Sequence, residues 1–260
     1  MAAPRAIAVI GDSLLADLHP SIGYRKGKYE PRTRSPVAIV VHTTGAGPWR
    51  RLTEPRFARW RRRNGDPRDT YESAIRIYQS VTTAGPHYVV GQEAGQIAQL
   101  CPEDLCAWHV GGKGGSAYAR PRAKWLTSEA RWWELHWPHL QSPRQLADGQ
   151  MWTPYGAKVG ARVAWTQWRA GGSVNANSIG IEVACPPDDP RAPWSDAAWS
   201  SLVEVIHDIA IRHAIPTTRD RIVSHSDTHP LARSTGGWPW DPSTRQWTWR
   251  RYSQISGAPY

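Results

Sequence analysis

Phe occurs once, Met twice and Cys three times in the 260 residues, and acidic side chains are outnumbered 22 to 32 by Lys and Arg. Each shortage excludes something. Three cysteines, Cys101, Cys106 and Cys185, cannot close a disulfide framework. The core must hold the fold, as expected in a reducing cytoplasm, with a Cys101–Cys106 bridge as the one short-range pairing left open. No stretch approaches the roughly 20 consecutive apolar residues that span a bilayer, and no internal repeat points to a solenoid or propeller. Met1–Ile10 holds a single Arg, and its apolar run breaks at Gly11-Asp12, which makes a poor secretory leader. Synthesis in the cytoplasm without a signal peptide is therefore expected, with release needed for any action outside. The shortage of acid leaves a net charge of +10, whose long-range field favours polyanions: nucleic acid, anionic lipid or wall polymers.

What the chain has in excess is Trp, 16 of them, a side chain that buries large area, keeps one N–H to satisfy and stacks on sugars and bases alike. A hydrophobic fraction of 40% over this length is enough for one large domain or two small ones. Strand signals fall at Val37–His42, His87–Val90, Gln96–Leu100, Asn175–Ala184 and Arg219–Val223. Gly91–Gly95 supplies a hairpin turn between the second and third of these. Helices are expected over Asp69–Ser80, with Tyr71, Ile75 and Tyr78 on one side, and from Ser195-Asp196 to His213, with Leu202, Val205, Ile206 and Ile209 as its apolar stripe. A short basic helix is read at Glu54–Arg63. Strands alternating with helices plus one hairpin predict an α/β domain, a mixed central sheet flanked by helices on both faces. Residues 1–36 read as an N-terminal extension and 37–260 as the domain proper. Within it, 113–172 reads as a Trp-rich insertion that Pro138, Pro143 and Pro154 cut into short helices and loops, roofing a surface groove.

Two apolar strands end in histidine: Val37-Ala-Ile-Val-Val-His42-Thr43-Thr44-Gly45 and Arg221-Ile-Val-Ser-His225. The loop after His225 carries Asp241 between Trp240 and Pro242. Two strand-end imidazoles and a loop carboxylate are three ligands of a tetrahedral zinc, and the fourth position is left to water, which points to catalysis. A pair of merely hydrogen-bonded histidines is the bland alternative. Glu182 stands alone in Ile-Gly-Ile-Glu-Val, and a buried carboxylate needs a partner or a task. Arg212 is the structural partner to weigh. Gly11-Asp12-Ser13-Leu14 resembles the nucleophile block of GDSL-type serine esterases, but Asp227-Thr-His229 is one residue short of the Asp-x-x-His such a serine needs.

Taken in order, Val-Val-His42-Thr-Thr, His87-Tyr-Val-Val-Gly, Ala-Trp108-His109-Val-Gly, Asn177-Ser-Ile-Gly-Ile-Glu182 and Val-Ser-His225-Ser-Asp with Asp241-Pro242 resemble the zinc-dependent N-acetylmuramoyl-L-alanine amidases, a family that includes phage lysozyme-like amidases and peptidoglycan recognition proteins. The resemblance covers about residues 36–250. It implies hydrolysis of the amide between N-acetylmuramic acid and the L-alanine of the stem peptide. It also implies Zn2+ on His42, His225 and Asp241, with Glu182 moving protons between water and the leaving amine. Substrate contacts are implied at Thr43, Trp108, His109 and Asn177, while His87 is read as a core residue. Many members carry a Lys two residues before the last ligand; Pro239 stands there, and Arg233 is the candidate to stabilise the oxyanion instead. The expected partner is peptidoglycan or a muropeptide, met by a monomer acting on the cell wall as a lysin or an exported antibacterial enzyme. The alternative is a recognition domain that grips muropeptide without cutting it, although such members lack a complete triad. Nucleic acid is not expected, since the charge comes with no binding motif.

Overall fold

The structure is a computed structural model, and it describes residues 15, 17–18, 29–44, 70–80, 84–110, 144–145, 151–153, 156–159, 174–186, 192–218, 221–225, 234–235, 238–239, 241–243 and 245–256. The Gly11–Leu14 esterase-like block, the helix read at 54–63, and Asp227, His229 and Arg233 lie outside them.

The apolar run Ala38–Thr43 forms β3, wholly buried, an interior strand of a six-stranded sheet. Thirteen strands are described: β1 (Asp17–Leu18), β2 (Tyr29–Pro31), β3, β4 (Tyr88–Val90), β5 (Ile97–Gln99), β6 (Leu105–Ala107), β7 (Arg144–Gln145), β8 (Met151–Thr153), β9 (Gly156–Val159), β10 (Ser178–Val183), β11 (Ile222–Ser224), β12 (Ser234–Thr235) and β13 (Trp238–Pro239). The main sheet runs β1-β5-β4-β10-β3-β11. Strands β11, β3, β10 and β4 are mutually parallel, and β5 returns antiparallel to β4 through the expected hairpin. That turn uses Gly95 at φ 75°, where a side chain would be strained. Continuous apolar runs suit strands covered on both faces.

Helix α1 (Thr70–Ser80) covers one face, packing Tyr71, Ala74 and Ile75 on Val89, Ala98 and Leu100. The other face carries α3 (Asp196–His213) and α4 (Trp249–Ser256), with Leu202, Val205, Ile206 and Ile209 buried against Ile39, Ile179 and Ile181. Ser195 caps α3, its hydroxyl accepting from the Ala198 amide at 3.0 Å. Ala214 ends the helix in the left-handed conformation at φ 52°. Three of the many Trp, Trp194, Trp199 and Trp247, cluster in this layer with centroids 5.6–6.5 Å apart, so they are core.

Several expectations change. Asn175–Asn177 lie in a one-turn helix, α2 (Val174–Asn177), and only Ser178 begins the strand. The reason is that β10 is in register with β3 from Ser178↔Ala38 onward, so pairing has no partner earlier. Within 113–172, the described pieces are not helices but a three-stranded antiparallel sheet, β7-β8-β9, and Pro154 falls between two strands. Part of the expected N-terminal extension joins the body, β1 on the edge of the main sheet and β2 paired with β6. Arg32, just beyond β2, is half-buried, and its guanidinium donates to the carbonyls of Glu103, Leu105, Ala176 and Ser178. Cys101 and Cys106 form no disulfide with each other. No helix among the described residues is long and apolar enough to cross a membrane.

Candidate active site

Side chains two residues apart on a strand share a face, and in-register neighbours stand side by side. On β10 that places Ser178, Gly180 and Glu182 in one row, and the register sets Glu182 beside His42 of β3. Both lie near the carboxyl ends of the parallel strands, where open α/β sheets bind ligands. His225 follows β11 immediately, and β11 pairs with β3. Asp241 arrives from the far side of the β12-β13 hairpin, which occupies part of the long connection after His225.

These segments bring His42, His225 and Asp241 together, all buried, with candidate ligand atoms within 4.8 Å of one another. His42 Nδ1 and His225 Nδ1 are 2.8 Å apart, and His225 Nδ1 is 2.9 Å from Asp241 Oδ2. His42 Nδ1 lies 3.9 Å from Asp241 Oδ1, which also accepts from the Thr43 amide at 3.0 Å. Zinc bonds of about 2.0–2.2 Å in a tetrahedron need ligand atoms about 3.3 Å apart. The observed separations bracket that value, and two imidazoles with one carboxylate are a donor set zinc takes, so the residues fit the ion.

Glu182 is 8% exposed, its Oε1 4.0 Å from His42 Nδ1, so its carboxylate borders the same small volume. Arg212, the structural partner weighed for it, is bound elsewhere. Its guanidinium pairs with Glu103 and with Asp208, at 2.9 Å to Asp208. Burial alone would raise the Glu103 pKa, but hydrogen bonds from His213, Arg212 and Tyr88 outweigh it and hold the carboxyl below its ordinary range.

Of the expected substrate contacts, Thr43, His109 and Asn177 are buried and Trp108 is half-buried. His109 is buried with both ring nitrogens engaged, Nδ1 to His42 Nε2 at 2.9 Å and Nε2 to Ser178 Oγ at 3.1 Å. Burial and the nearby Arg32 charge lower its pKa to about 3, against a hydrogen bond with Ser178 that raises it, so the ring is neutral. Thr43 is buried, holding Asp241 through its amide. Asn177 is buried at the end of α2, its carbonyl accepting from the Val37 amide. Trp108 is half-buried. His87, read as core, is fully buried and accepts at Nδ1 from the Gly180 amide.

Sequence reading missed Ser178 and Gly180. A Cβ on Gly180 would stand 2.3 Å from His109 Cγ, so only glycine lets the ring lie across β10. The signal was present in the period-two row Ser178, Gly180, Glu182: a small polar residue, a gap and a carboxylate on one face of a buried strand.

Fold and site together define a class: a mixed α/β domain with a metal-capable His/His/Asp cluster and a neighbouring carboxylate at the ends of its parallel strands. The chain belongs to the N-acetylmuramoyl-L-alanine amidase family, whose model matches residues 32–243. It is accordingly a hydrolase of peptidoglycan, acting on the amide between N-acetylmuramic acid and L-alanine. Among solved structures it is similar to a selenomethionine derivative of AmpD, at 18% identity and a TM-score of 0.45, covering 94% of this chain and 95% of that one. It is also similar to AmiD from E. coli in complex with anhydro-N-acetylmuramic acid-L-Ala-D-gamma-Glu-L-Lys, at 18% identity and a TM-score of 0.43, covering 89% of this chain and 62% of that one. No curated protein matches the sequence.

Proposed function

We propose that this amidase is zinc-dependent, with His42, His225 and Asp241 as the ligands and Glu182 as the proton carrier. The observation that carries the reading is the convergence of three ligand-type side chains, His42, His225 and Asp241, from distant segments of the chain, beside a fourth, acidic group. Zinc held there would bring the pKa of a bound water towards about 7 and polarise the scissile carbonyl. Glu182 takes a proton from the attacking water and returns one to the stem-peptide nitrogen as the C–N bond breaks, so the carboxylate ends as it began. Thr43 holds the Asp241 carboxylate in place through its amide. Arg233 is assigned the oxyanion charge that a lysine supplies in many members, where Pro239 stands here. Of the four substrate contacts expected, Trp108 is retained as a wall of the groove; Thr43, His109 and Asn177 act as supports beneath it.

The net charge of +10 favours approach to anionic wall polymers. On that ground the enzyme is assigned a lytic role on the cell wall, phage-lysin-like or antibacterial, reached after release from the cytoplasm and performed as a monomer. The test is release of free stem peptide from soluble muropeptides, followed by mass spectrometry with and without chelator, alongside Glu182→Ala. Release lost in both cases is the expected result. Release that survives the chelator refutes zinc dependence, and tight binding without release makes this a recognition domain.

A further inference from the structure

We propose that Ser178 and His109 are positioning residues that set the tautomer of His42, leaving its Nδ1 bare and aimed at the ligand cluster. This rests on the assignment of His42 as a metal ligand. The polarity of the chain follows from counting donors. Ser178 Oγ lies 2.7 Å from the Val174 carbonyl oxygen, and a carbonyl only accepts, so the single hydroxyl proton is committed there. The same oxygen is 3.1 Å from His109 Nε2 and must therefore accept from an Nε2–H. A neutral imidazole carries one proton, which leaves His109 Nδ1 as an acceptor. His42 Nε2, 2.9 Å from it, is then the donor. With its proton at Nε2, neutral His42 has a lone pair at Nδ1, the atom that faces His225 Nδ1 at 2.8 Å. His225 supplies the proton at that contact and, at 2.9 Å, to Asp241, so it takes the opposite tautomer until a metal displaces it.

No link can be reversed without cost. A proton on His109 Nδ1 would push the His42 proton to Nδ1 and remove the lone pair, and the chain is anchored at a backbone carbonyl that cannot donate. Strand β10 supplies the whole device from one face: the hydroxyl at 178, the gap at 180 that admits the His109 ring, and the carboxylate at 182. Orienting partners of this kind hold metal-bound histidines in one ring orientation and raise their basicity.

Two measurements test the proposal. Long-range proton–nitrogen spectra of the metal-free wild-type protein with labelled histidine should show His42 and His109 protonated at Nε2 and His225 at Nδ1. His42 protonated at Nδ1 overturns the proposal without any variant. In competition titrations against a chromophoric chelator, His109→Ala and Ser178→Ala should each weaken zinc binding about 10- to 100-fold. His109→Asn, whose amide oxygen can stand where Nδ1 stood, should recover most of the loss, as a purely space-filling role would not require. Zinc affinity of His109→Ala within twofold of wild type overturns the proposal. Wild-type protein that takes up no zinc refutes the ligand set instead, while the spectra still decide the tautomers.

Discussion

Gly180→Ala adds one methyl group at the most crowded point of the site. Its Cβ would meet His109 Cγ at 2.3 Å, Nδ1 at 2.6 Å and Cδ2 at 2.7 Å, where ordinary contact begins at 3.4 Å. Something must move by about 1 Å to reach ordinary carbon–carbon separation. The strand is the stiffer partner, because β10 is paired with β3 over six residues and with β4 over three. The ring therefore gives way, and a displacement of about 1 Å stretches its 2.9 Å contact with His42 beyond hydrogen-bonding range. Overpacking costs about 1–3 kcal/mol, and replacing a strand glycine returns about 0.5–1 kcal/mol of chain entropy. A net loss of about 1–2 kcal/mol is expected, read as a lower denaturant midpoint with the slope unchanged. Zinc affinity should fall about 10- to 100-fold alongside, because His42 loses its orienting partner. A Gly180→Ala protein with wild-type midpoint and wild-type zinc affinity would refute the claim that the ring is pinned on β10.

Three further outcomes are expected. Asp241→Ala should abolish zinc uptake in equilibrium dialysis and free the Thr43 amide, visible as faster hydrogen exchange there. The Glu103 carboxyl is held below its ordinary range, so its contribution to stability is complete above about pH 4.5 and is lost as pH falls through the depressed value. Glu103→Gln should therefore cost about 2–4 kcal/mol at neutral pH by leaving Arg212 and His213 short of their carboxylate, and its stability should fall less steeply than that of wild type below pH 4.5 in urea titrations. Ala214 occupies the left-handed helix cap at φ 52°, so Ala214→Gly should stabilise by about 0.5–1 kcal/mol and raise Tm by about 1–4 °C in calorimetry.

Local sequence determined a good deal of this molecule. The six apolar residues of β3, the 88–99 hairpin and the capped helix from Asp196 are each written in a pattern of nearest neighbours, and each formed. His42 and His225 stood out for the same reason, each a ligand-type residue at the end of an apolar strand, whereas Asp241 was picked only as a carboxylate in the loop that follows; the structure brings the three together. Asn175–Asn177 misled because its extended appearance reflects composition, whereas strand pairing begins only where β3 offers a partner. The insertion misled because prolines announce breaks, not whether the segments between them are helix or strand.

Only the tertiary structure decided the roles that depend on partners. Glu182 next to His42 is a consequence of parallel register between strands 140 residues apart, and no local signal encodes that register. Arg212 was drawn from Glu182 to Glu103 because α3 runs over the far face of the sheet, where the β5-β6 connection presents its carboxylate. His109 looked like a substrate contact as a strand-end histidine beside a Trp. Folding turned it inward, because a missing side chain at 180 opened a slot and a hydroxyl at 178 and a nitrogen on His42 stood at its two ends. A sequence shows which groups can donate, accept or ligate; which of them meet, and in which direction the protons point, is set by the packing of distant segments.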